Sequence, residues 1–238
     1  MHRFANPGRF LRVAAVVQPI AVAVLAVSLA LGLVLGLVVA PADYQQGDTV
    51  RIMYVHVPAA WMALFVYTVM AAASAVALIW RHPLAEIAAR ASAPIGASFT
   101  FVALVTGSLW GKPMWGTWWV WDARLTSVLV LFFLYLGYIA LANAFDDEQR
   151  GGRAASILAL VGFVNVPIIK FSVDWWNTLH QPSSVLKMSG PAIDPSMLWP
   201  LLIMAVAFKA FYVAVLIMRM RAELAQRRLR ALAAVRAA

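Results

Sequence analysis

Long runs of apolar residues, separated by short polar stretches, dominate the pattern of this chain. A helix needs about 20 such residues to cross the hydrocarbon core of a bilayer. Six runs have about that length, and they cover residues 19–40, 57–80, 91–110, 125–145, 154–171 and 197–218. The pattern therefore predicts an all-α integral membrane protein with six transmembrane helices, which form a single six-helix membrane domain over residues 1–238.

Composition separates this chain from soluble proteins. Of its 238 residues, 63% are hydrophobic and only 12% are charged, whereas soluble domains are about half apolar and a quarter charged. It contains no cysteine, so the protein itself can form no disulfide, zinc-thiolate site or thioether attachment. The sequence has no Walker motif and no dinucleotide fingerprint. We therefore do not expect an enzyme, and any ATP hydrolysis would belong to a partner chain.

The basic residues are divided unevenly between the two sides of the predicted helices. The net charge is +9, and thirteen of the nineteen Lys and Arg residues fall on the side that carries both termini. The opposite side has four: Arg51, Lys112, Arg124 and Lys187. Because cytoplasmic loops are enriched in Lys and Arg, we expect both termini in the cytoplasm. Three loops are then periplasmic: 41–56, 111–124 and 172–196. Contact with anionic lipid explains the positive charge without nucleic acid.

A tryptophan-rich run occupies the second of these loops. Residues 115–122 read Trp-Gly-Thr-Trp-Trp-Val-Trp-Asp, so half of the run is tryptophan. Tryptophans at a membrane boundary commonly act as anchors. We favour that interpretation for four others: Trp110, Trp175, Trp176 and Trp199. Anchoring alone explains the run poorly, because neighbours such as Trp118 and Trp119 cannot both face the headgroups in the same way. The run instead predicts a platform for a flat apolar ligand.

Two histidines flank this loop along the chain. His56 and His180 each lie at the outward boundary of a predicted span, in the loops before and after the tryptophan run. Imidazole nitrogen binds heme iron, and tryptophan can cover the apolar part of a porphyrin. Arginine pairs bidentately with carboxylates such as heme propionates, and Arg51 and Arg124 lie on the same side. The residue types that a heme site requires are therefore present together.

Each of these residues also has an ordinary structural explanation. A lone boundary histidine often only reaches water, and the two arginines could bind lipid phosphate. Pro58 could start the second helix in its first turn. Asp122 could cap the N-terminus of the fourth helix. It would then position the loop without touching a ligand.

Two polar features lie inside the predicted spans. Lys209 is well inside the sixth span, and an intramembrane charge is a functional candidate by default. The other spans contain no acidic partner for it, so its side chain could snorkel or contact another subunit. In the fifth span, Asn165 and Pro167 predict a local distortion of the helix.

The tryptophan run with its continuation to Ser127 resembles the WWD signature of heme-handling membrane proteins. Within that superfamily, the chain resembles the cytochrome c maturation protein C family, also called heme exporter protein C. Its length, its six predicted spans and one histidine in each loop beside the signature all match. The resemblance covers nearly the whole chain and its signature is very specific, whereas the larger members of the superfamily have more spans.

The resemblance implies a role for each candidate residue. His56 and His180 would be the two axial ligands of the heme iron, and the WWD motif at 115–122 would hold the heme. The heme-binding platform would consist of Trp115, Gly116, Trp118, Trp119, Trp121 and Asp122. Arg51 and Arg124 remain the candidates for the propionates. The heme, heme b, would be a transient cargo.

The resemblance also implies a location and partners. The family acts in the bacterial inner membrane, with its site on the periplasmic face. It works in an ABC transporter complex with an ATP-binding subunit (maturation protein A), a membrane subunit (protein B) and a small single-span subunit (protein D). It presents heme to a periplasmic heme chaperone (protein E) during c-type cytochrome biogenesis.

Three other functions compete with this one. A heme-conducting transmembrane transporter would need a polar or roomy path, whereas the spans are mostly apolar. A b-type electron-transfer cytochrome usually binds heme between histidines inside its spans, and no predicted span interior contains one. A structural membrane subunit would use its tryptophans only as anchors.

Overall fold

The computed structural model describes residues 6–180, 184–185 and 190–237, except for the side chains of Ala231 and Ala237. Lys187, one of the four outward cations, lies outside the described residues. The helices are α1 (Pro7–Val34), α2 (Met53–Trp80), α3 (Pro83–Trp115), α4 (Ala123–Asn143), α5 (Glu148–Gly162), α6 (Asn165–Trp175) and α7 (Pro195–Ala237). A π-helical turn over Leu35–Val39 extends α1, and a 3₁₀-helix over Asp48–Ile52 precedes α2. The described part of the chain contains no β-strand.

Six helical stretches are long and apolar enough to cross a membrane, as the hydrophobic pattern predicts, and α5 and α6 together make the fifth. The helices extend beyond the apolar runs. The first, for example, begins at Pro7, twelve residues before the first run. The Asn6 side chain caps this helix by accepting hydrogen bonds from the N–H groups of Gly8 and Arg9 at 2.8 and 3.2 Å. A cap and a proline in the first turn both favour a helix start.

The fifth span is interrupted between α5 and α6, which confirms the predicted distortion. Pro167 has no N–H, so it cannot bond to the carbonyl of Phe163. That carbonyl instead accepts a hydrogen bond from the N–H of Val166 at 3.0 Å. Asn165 donates its side-chain amide to the carbonyl of Ser127 on α4 at 2.8 Å. The break is therefore held in place by a hydrogen bond to the neighbouring helix.

Buried tyrosines fill the middle of the bundle, where α2, α3 and α4 meet. The rings of Tyr67 and Tyr135 are fully buried and meet edge to face, with centroids 5.0 Å apart. The hydroxyl of Tyr135 donates to the carbonyl of Ala63 at 2.8 Å. Gly96 of α3 lies against the Tyr135 ring, where any Cβ would overlap it. Small residues that allow such close approach are typical of membrane helices, and this packing fixes the positions of the helix ends.

Consecutive spans run in opposite directions, so the segments that connect them lie alternately at the two ends of the bundle. We call the end formed by residues 40–52, 116–122 and 176–180 the tryptophan end, and the opposite end, which carries both chain termini, the terminal end. At the terminal end, α7 continues far beyond its last apolar run. Arg227 on this extension pairs with Glu86 of α3 at 3.0 Å and with Glu223 at 2.9 Å. Arg230 contacts Glu148 of α5. These ion pairs fasten the extension to the bundle.

Lys209 lies on the outer surface of α7, between the two ends. Its ammonium nitrogen is 3.0 Å from the centroid of the Phe65 ring of α2. A cation over an aromatic ring gains about 2 kcal/mol or more where water is excluded. A charged residue at the centre of a spanning helix costs about 2.5–3.5 kcal/mol. The aromatic contact therefore lowers the cost of this charge but supplies no counter-charge.

Candidate functional site

His56 lies in the first turns of α2 and not in a loop. The 3₁₀-helix over Asp48–Ile52 runs directly into α2 at Met53. Pro58 is consequently the sixth residue of α2, and the expectation that it starts the helix is wrong. Because helical backbone continues on both sides of His56, its side chain has a defined direction.

The outer end of α3 provides the surface against which His56 packs. The Nδ1 atom of His56 lies 3.1 Å from Oγ1 of Thr106. Its ring meets the Trp110 ring at a steep angle, with centroids 5.7 Å apart. Gly107 leaves room for the imidazole, since a Cβ at this position would lie 2.9 Å from Cε1 of His56. A larger residue at 107 would therefore displace the ring.

The hydrogen bonds of Thr106 determine which nitrogen of His56 is available. The Thr106 hydroxyl donates its proton to the carbonyl of Val102 at 2.6 Å. A hydroxyl has only one proton. When that proton goes to the carbonyl, the same oxygen accepts a hydrogen bond from the Nδ1–H of His56. The neutral imidazole then carries its free lone pair on Nε2. Metal-binding histidines are typically oriented in this way, through the nitrogen that does not bind the metal.

His180 lies in the irregular segment that follows α6. Its Nδ1 is 3.6 Å from Oδ2 of Asp122, and its ring meets the Trp115 ring with centroids 5.0 Å apart. Asp122 is the N-cap of α4, because its Oδ1 accepts a hydrogen bond from the N–H of Leu125 at 2.7 Å. Its Oδ2 also accepts from the hydroxyl of Thr178. The capping interpretation of Asp122 is confirmed, and the same carboxylate faces His180.

Burial lowers the pKa of the His180 imidazole below its ordinary value of about 6.5. The positive charge of Arg124 acts in the same direction as burial, and the Asp122 carboxylate opposes both. At neutral pH, His180 is therefore mostly uncharged. Neutral imidazole is the form that binds metal ions.

The two imidazoles pack against the same end of α3. His56 packs on the turn that contains Thr106 and Trp110, and His180 packs on Trp115, the last residue of the helix. They are close enough to interact electrostatically. In His56, Nε2 is the nitrogen that does not contact Thr106. In His180, Nδ1 faces Asp122 from 3.6 Å, beyond hydrogen-bond distance, and has no hydrogen-bond partner among the described residues. The structure thus brings together two histidines that are far apart in sequence.

Gly116 ends α3 and turns the chain across the tryptophan end. Its φ of 75° lies in the left-handed region that favours glycine. Its N–H bonds to the carbonyl of Lys112 at 3.0 Å, as in a common helix C-cap. Gly116 therefore has a structural role that does not depend on a ligand.

The four tryptophans of the run lie in three different surroundings. Trp115 contacts His180, and Trp118 lies 5.9 Å from the ammonium of Lys112. Trp119 and Trp121 pack edge to face, with centroids 5.6 Å apart. The indole N–H of Trp119 is buried and has no hydrogen-bond partner among the described residues. The run therefore does not present its four rings as a single stack.

An apolar groove of about 560 Å³ lies between α3 and α4, next to Trp119 and Trp121. Aliphatic and aromatic side chains of both helices line the rest of it, among them Phe101, Leu104 and Phe132. Neither histidine lines the groove. A flat apolar ligand can lie in such a space, in contact with Trp119 and Trp121.

Arg51 and Arg124 each connect two parts of the chain. Arg51 donates to the carboxylate of Asp48 at 3.1 Å and to the carbonyl of Gly36 at 3.2 Å. Arg124 donates to the hydroxyl of Ser172 at 3.0 Å and to backbone carbonyls near the end of α6. The guanidinium groups are thus already used to join α1 to the 3₁₀-helix and α4 to α6. Contact with a propionate would use their remaining donors.

Several neighbours of the histidines escaped the sequence-based prediction. Thr106 and Gly107 belong to no motif. Trp110 is not a free boundary anchor, because its N–H donates to the side-chain oxygen of Gln46 at 2.9 Å and its ring contacts His56. By contrast, Trp175, Trp176 and Trp199 are exposed, as expected of anchors. The sequence signal that could have found this surface is a pair of glycines four residues apart, Gly107 and Gly111, on the last turns of α3.

The sequence matches the model of the family described as Heme exporter protein C over residues 1–235. A Heme exporter protein C from Bradyrhizobium diazoefficiens is 58% identical over 228 residues, which cover 96% of this chain and 86% of the relative. One from Escherichia coli (strain K12) is 58% identical over 182 residues, covering 76% and 73%. One from Paracoccus denitrificans is 42% identical over 232 residues, covering 97% and 96%.

Proposed function

This chain belongs to the Heme exporter protein C family, and from that premise we propose that it binds heme at the tryptophan end and delivers it to a periplasmic heme chaperone. The family places the protein in heme handling for cytochrome c biogenesis. The binding residues and the route of delivery are our proposal. It assigns axial ligation of the iron to His56 and His180.

One observation carries this assignment: in both imidazoles Nδ1 is the nitrogen that faces an oxygen atom of the chain. Nδ1 of His56 lies 3.1 Å from the Thr106 hydroxyl, and Nδ1 of His180 lies 3.6 Å from the Asp122 carboxylate. Each Nε2 is therefore left as a lone-pair donor at the same end of α3. Two such nitrogens suit the two axial positions of a heme iron.

The tryptophans and arginines have supporting roles in this proposal. Trp115 lies against His180 and would cover the ring system beside that ligand. Trp119 and Trp121 would hold an apolar edge of the porphyrin at the α3–α4 groove. Arg51 and Arg124 would meet the propionates with the donors that they do not use within the chain. The heme would be heme b, held as cargo, and its own chemistry would form the bond to the chaperone.

We also propose an orientation and a set of partners. The uneven distribution of Lys and Arg supports termini in the cytoplasm and the tryptophan end in the periplasm, with the protein in the bacterial inner membrane. An ABC ATPase subunit would supply ATP hydrolysis, because the sequence has no nucleotide-binding motif. The membrane subunit and the small single-span subunit of the complex would contact this chain within the bilayer.

Absorption spectroscopy of protein purified from heme-replete cells tests the ligand assignment. We expect the intact protein to give the spectrum of a low-spin, six-coordinate heme. His56→Ala and His180→Ala should each remove one axial ligand, which changes the spectrum to a high-spin form or empties the site. His82→Asn is the matched control, since it removes a histidine at the terminal end while an asparagine can still cap α3.

An unchanged low-spin spectrum in both alanine variants would overturn the assignment. Delivery is tested separately by mixing the heme-loaded protein with the heme-free chaperone. Loss of the Soret band from this chain, with its appearance on the chaperone, is the expected result.

A further inference from the structure

Lys209 is a charge in the middle of a spanning helix. It lies fourteen residues after Pro195, where α7 begins, and ten residues before Arg219, the first basic residue of the terminal end. At 1.5 Å per residue, these separations are roughly 21 and 15 Å along the helix axis. Neither end of the span is within easy reach of the side chain. Snorkelling, which serves lysines near helix ends, therefore does not bring this ammonium to water.

No carboxylate of this chain can pair with Lys209. The ten acidic residues of the sequence lie in loops, near helix ends or, for Glu223, on the extension of α7 beyond its apolar run: Asp43, Asp48, Glu86, Asp122, Asp146, Asp147, Glu148, Asp174, Asp194 and Glu223. Glu223, the one that follows it on α7, is fourteen residues away. A second copy of the chain would bring the same set and would also lack a carboxylate at this depth. A counter-charge for Lys209 must therefore come from a different molecule.

The surroundings of Lys209 face outward from the bundle. Lys209 itself is exposed, Val206 one turn earlier on α7 is 50% exposed, and Phe65 of α2 is 38% exposed. These three residues form what we call the Lys209 face, a mostly apolar surface with one cation. An apolar surface alone would suit lipid. The cation does not, because lipid tails offer it no counter-charge and the Phe65 ring beside it carries no net charge.

We propose that the Lys209 face docks a transmembrane helix of a different subunit, and that this helix carries one Asp or Glu at mid-span. Charged residues within membranes usually pair with one another. A single charge pair in an otherwise apolar contact would also select one partner helix and fix its depth. The inference rests on the proposed function only in that the chain works in a membrane complex with other subunits.

Substitutions that keep or remove the charge test this docking surface. This chain is tagged and expressed with its native partners, and the co-purifying membrane subunits are quantified by mass spectrometry. Lys209→Met should lower the amount of one membrane subunit at least tenfold, whereas Lys209→Arg should retain most of it. Val161→Met is the matched control, since Val161 is an exposed apolar residue on α5, away from this face.

Crosslinking and charge exchange identify the docked helix. A photoreactive residue in place of Val206, activated in intact membranes, should crosslink to one helix that contains a mid-span carboxylate. Exchanging that carboxylate for lysine in combination with Lys209→Glu should restore assembly that each single change abolishes. This rescue also separates a lost contact from a misfolded chain.

Three results would overturn the proposal: Lys209→Met assembling as well as the intact chain, crosslinks to lipid or to a second copy alone, or a crosslinked helix without a carboxylate. The heme spectrum of each variant is recorded in parallel. The heme site is at the tryptophan end and Lys209 is not, so we expect unchanged spectra. If the intact protein lacked the low-spin heme spectrum, that result would contradict the proposed function. The assembly result could still be interpreted, because it does not depend on bound heme.

Discussion

The hydroxyl of Thr106 has a chemical role at the candidate site because it determines which nitrogen of His56 carries the proton. When its proton goes to the Val102 carbonyl of α3, its oxygen accepts from His56. This arrangement keeps the proton on Nδ1 and the lone pair on Nε2. A single hydroxyl thus sets the tautomer of a proposed iron ligand that belongs to another helix.

Thr106→Val removes this acceptor while it keeps the shape of the side chain. We expect heme affinity to fall roughly 10–100-fold, the usual cost of losing a residue that orients a metal ligand, with little change in thermal stability. Heme titration followed at the Soret band measures the effect. Thr106→Ser keeps the hydroxyl and should bind heme like the intact protein. Equal binding by the valine and serine variants would contradict the role of Thr106.

The depressed pKa of His180 predicts how heme binding depends on pH. A proton competes with iron for the imidazole, and burial makes that proton harder to add. The midpoint of the decline in binding through His180 should therefore lie below pH 6.5, the ordinary pKa of a histidine. Heme occupancy against pH tests this. Loss of half of the bound heme above pH 6.5 would contradict this prediction.

Asp122→Asn provides a second test of the same pKa. Asparagine also caps helices well, so α4 should keep its start. The carboxylate raises the pKa of His180, so its removal should shift the decline in heme occupancy to a still lower pH. A shift toward higher pH would mean that the carboxylate does not act on His180 in this way.

The two histidines and the tryptophan run could be predicted from the sequence because their residue types are rare and chemically specific. Thr106 and Gly107 could not, since threonine and glycine are frequent in spanning helices and their importance arises only from contact with His56. Nor could the sequence separate Trp115, beside His180, from Trp119, beside the groove. That division depends on the turn at Gly116, which directs the chain after α3.

Among the elements, α3 does most to build the site. Its last turns contact His56 and Trp115 contacts His180, and its other end meets the extension of α7 through Glu86. The apolar runs predicted the spans well, because hydrocarbon thickness sets helix length. They did not predict where the helices end. Caps and ion pairs continue α1 and α7 outside the bilayer, where hydropathy carries no information.

Arg227 fastens the extension of α7 to α3, and this contact can be measured. Arg227→Gln removes partly buried ion pairs to Glu86 and Glu223. We expect a loss of about 1 kcal/mol or less, the usual range for such pairs, and faster proteolysis after Arg228. Limited proteolysis and a double-mutant cycle with Glu86→Gln check this. The control is Arg236→Gln, an exposed residue farther along the same helix, which should change neither the rate nor the coupling.

At the scale of the whole molecule, the orientation in the membrane is directly testable because the chain has no cysteine. Tyr44→Cys places a thiol in an exposed loop at the tryptophan end, and Asp146→Cys places one at the terminal end. A membrane-impermeant thiol reagent should label the first in spheroplasts and the second only after the membrane is permeabilised. The reverse pattern would contradict the proposed orientation.

The packing of the whole bundle bears on the competing functions. Large tyrosines, Tyr67, Tyr135 and Tyr138, are buried at its centre, and they occupy the space that a heme-conducting path would need. Both outward histidines lie at one end rather than facing each other across the middle. A b-type electron-transfer cytochrome would need the second arrangement. The molecule is therefore better suited to hold a ligand at its surface than to pass one through.

The backbone under the two histidines differs, and this has a consequence for how a heme could leave. His56 is on a packed helix, whereas His180 is on the irregular residues 176–180 that follow α6. Breaking an iron bond to His56 would require α2 to shift against α3, but a bond to His180 yields to a rearrangement of a few residues. We expect ligand exchange to be stepwise, through a five-coordinate iron that keeps His56. When His180 dissociates, the face of the porphyrin that it covered becomes accessible first. An acceptor would therefore approach the heme from that face.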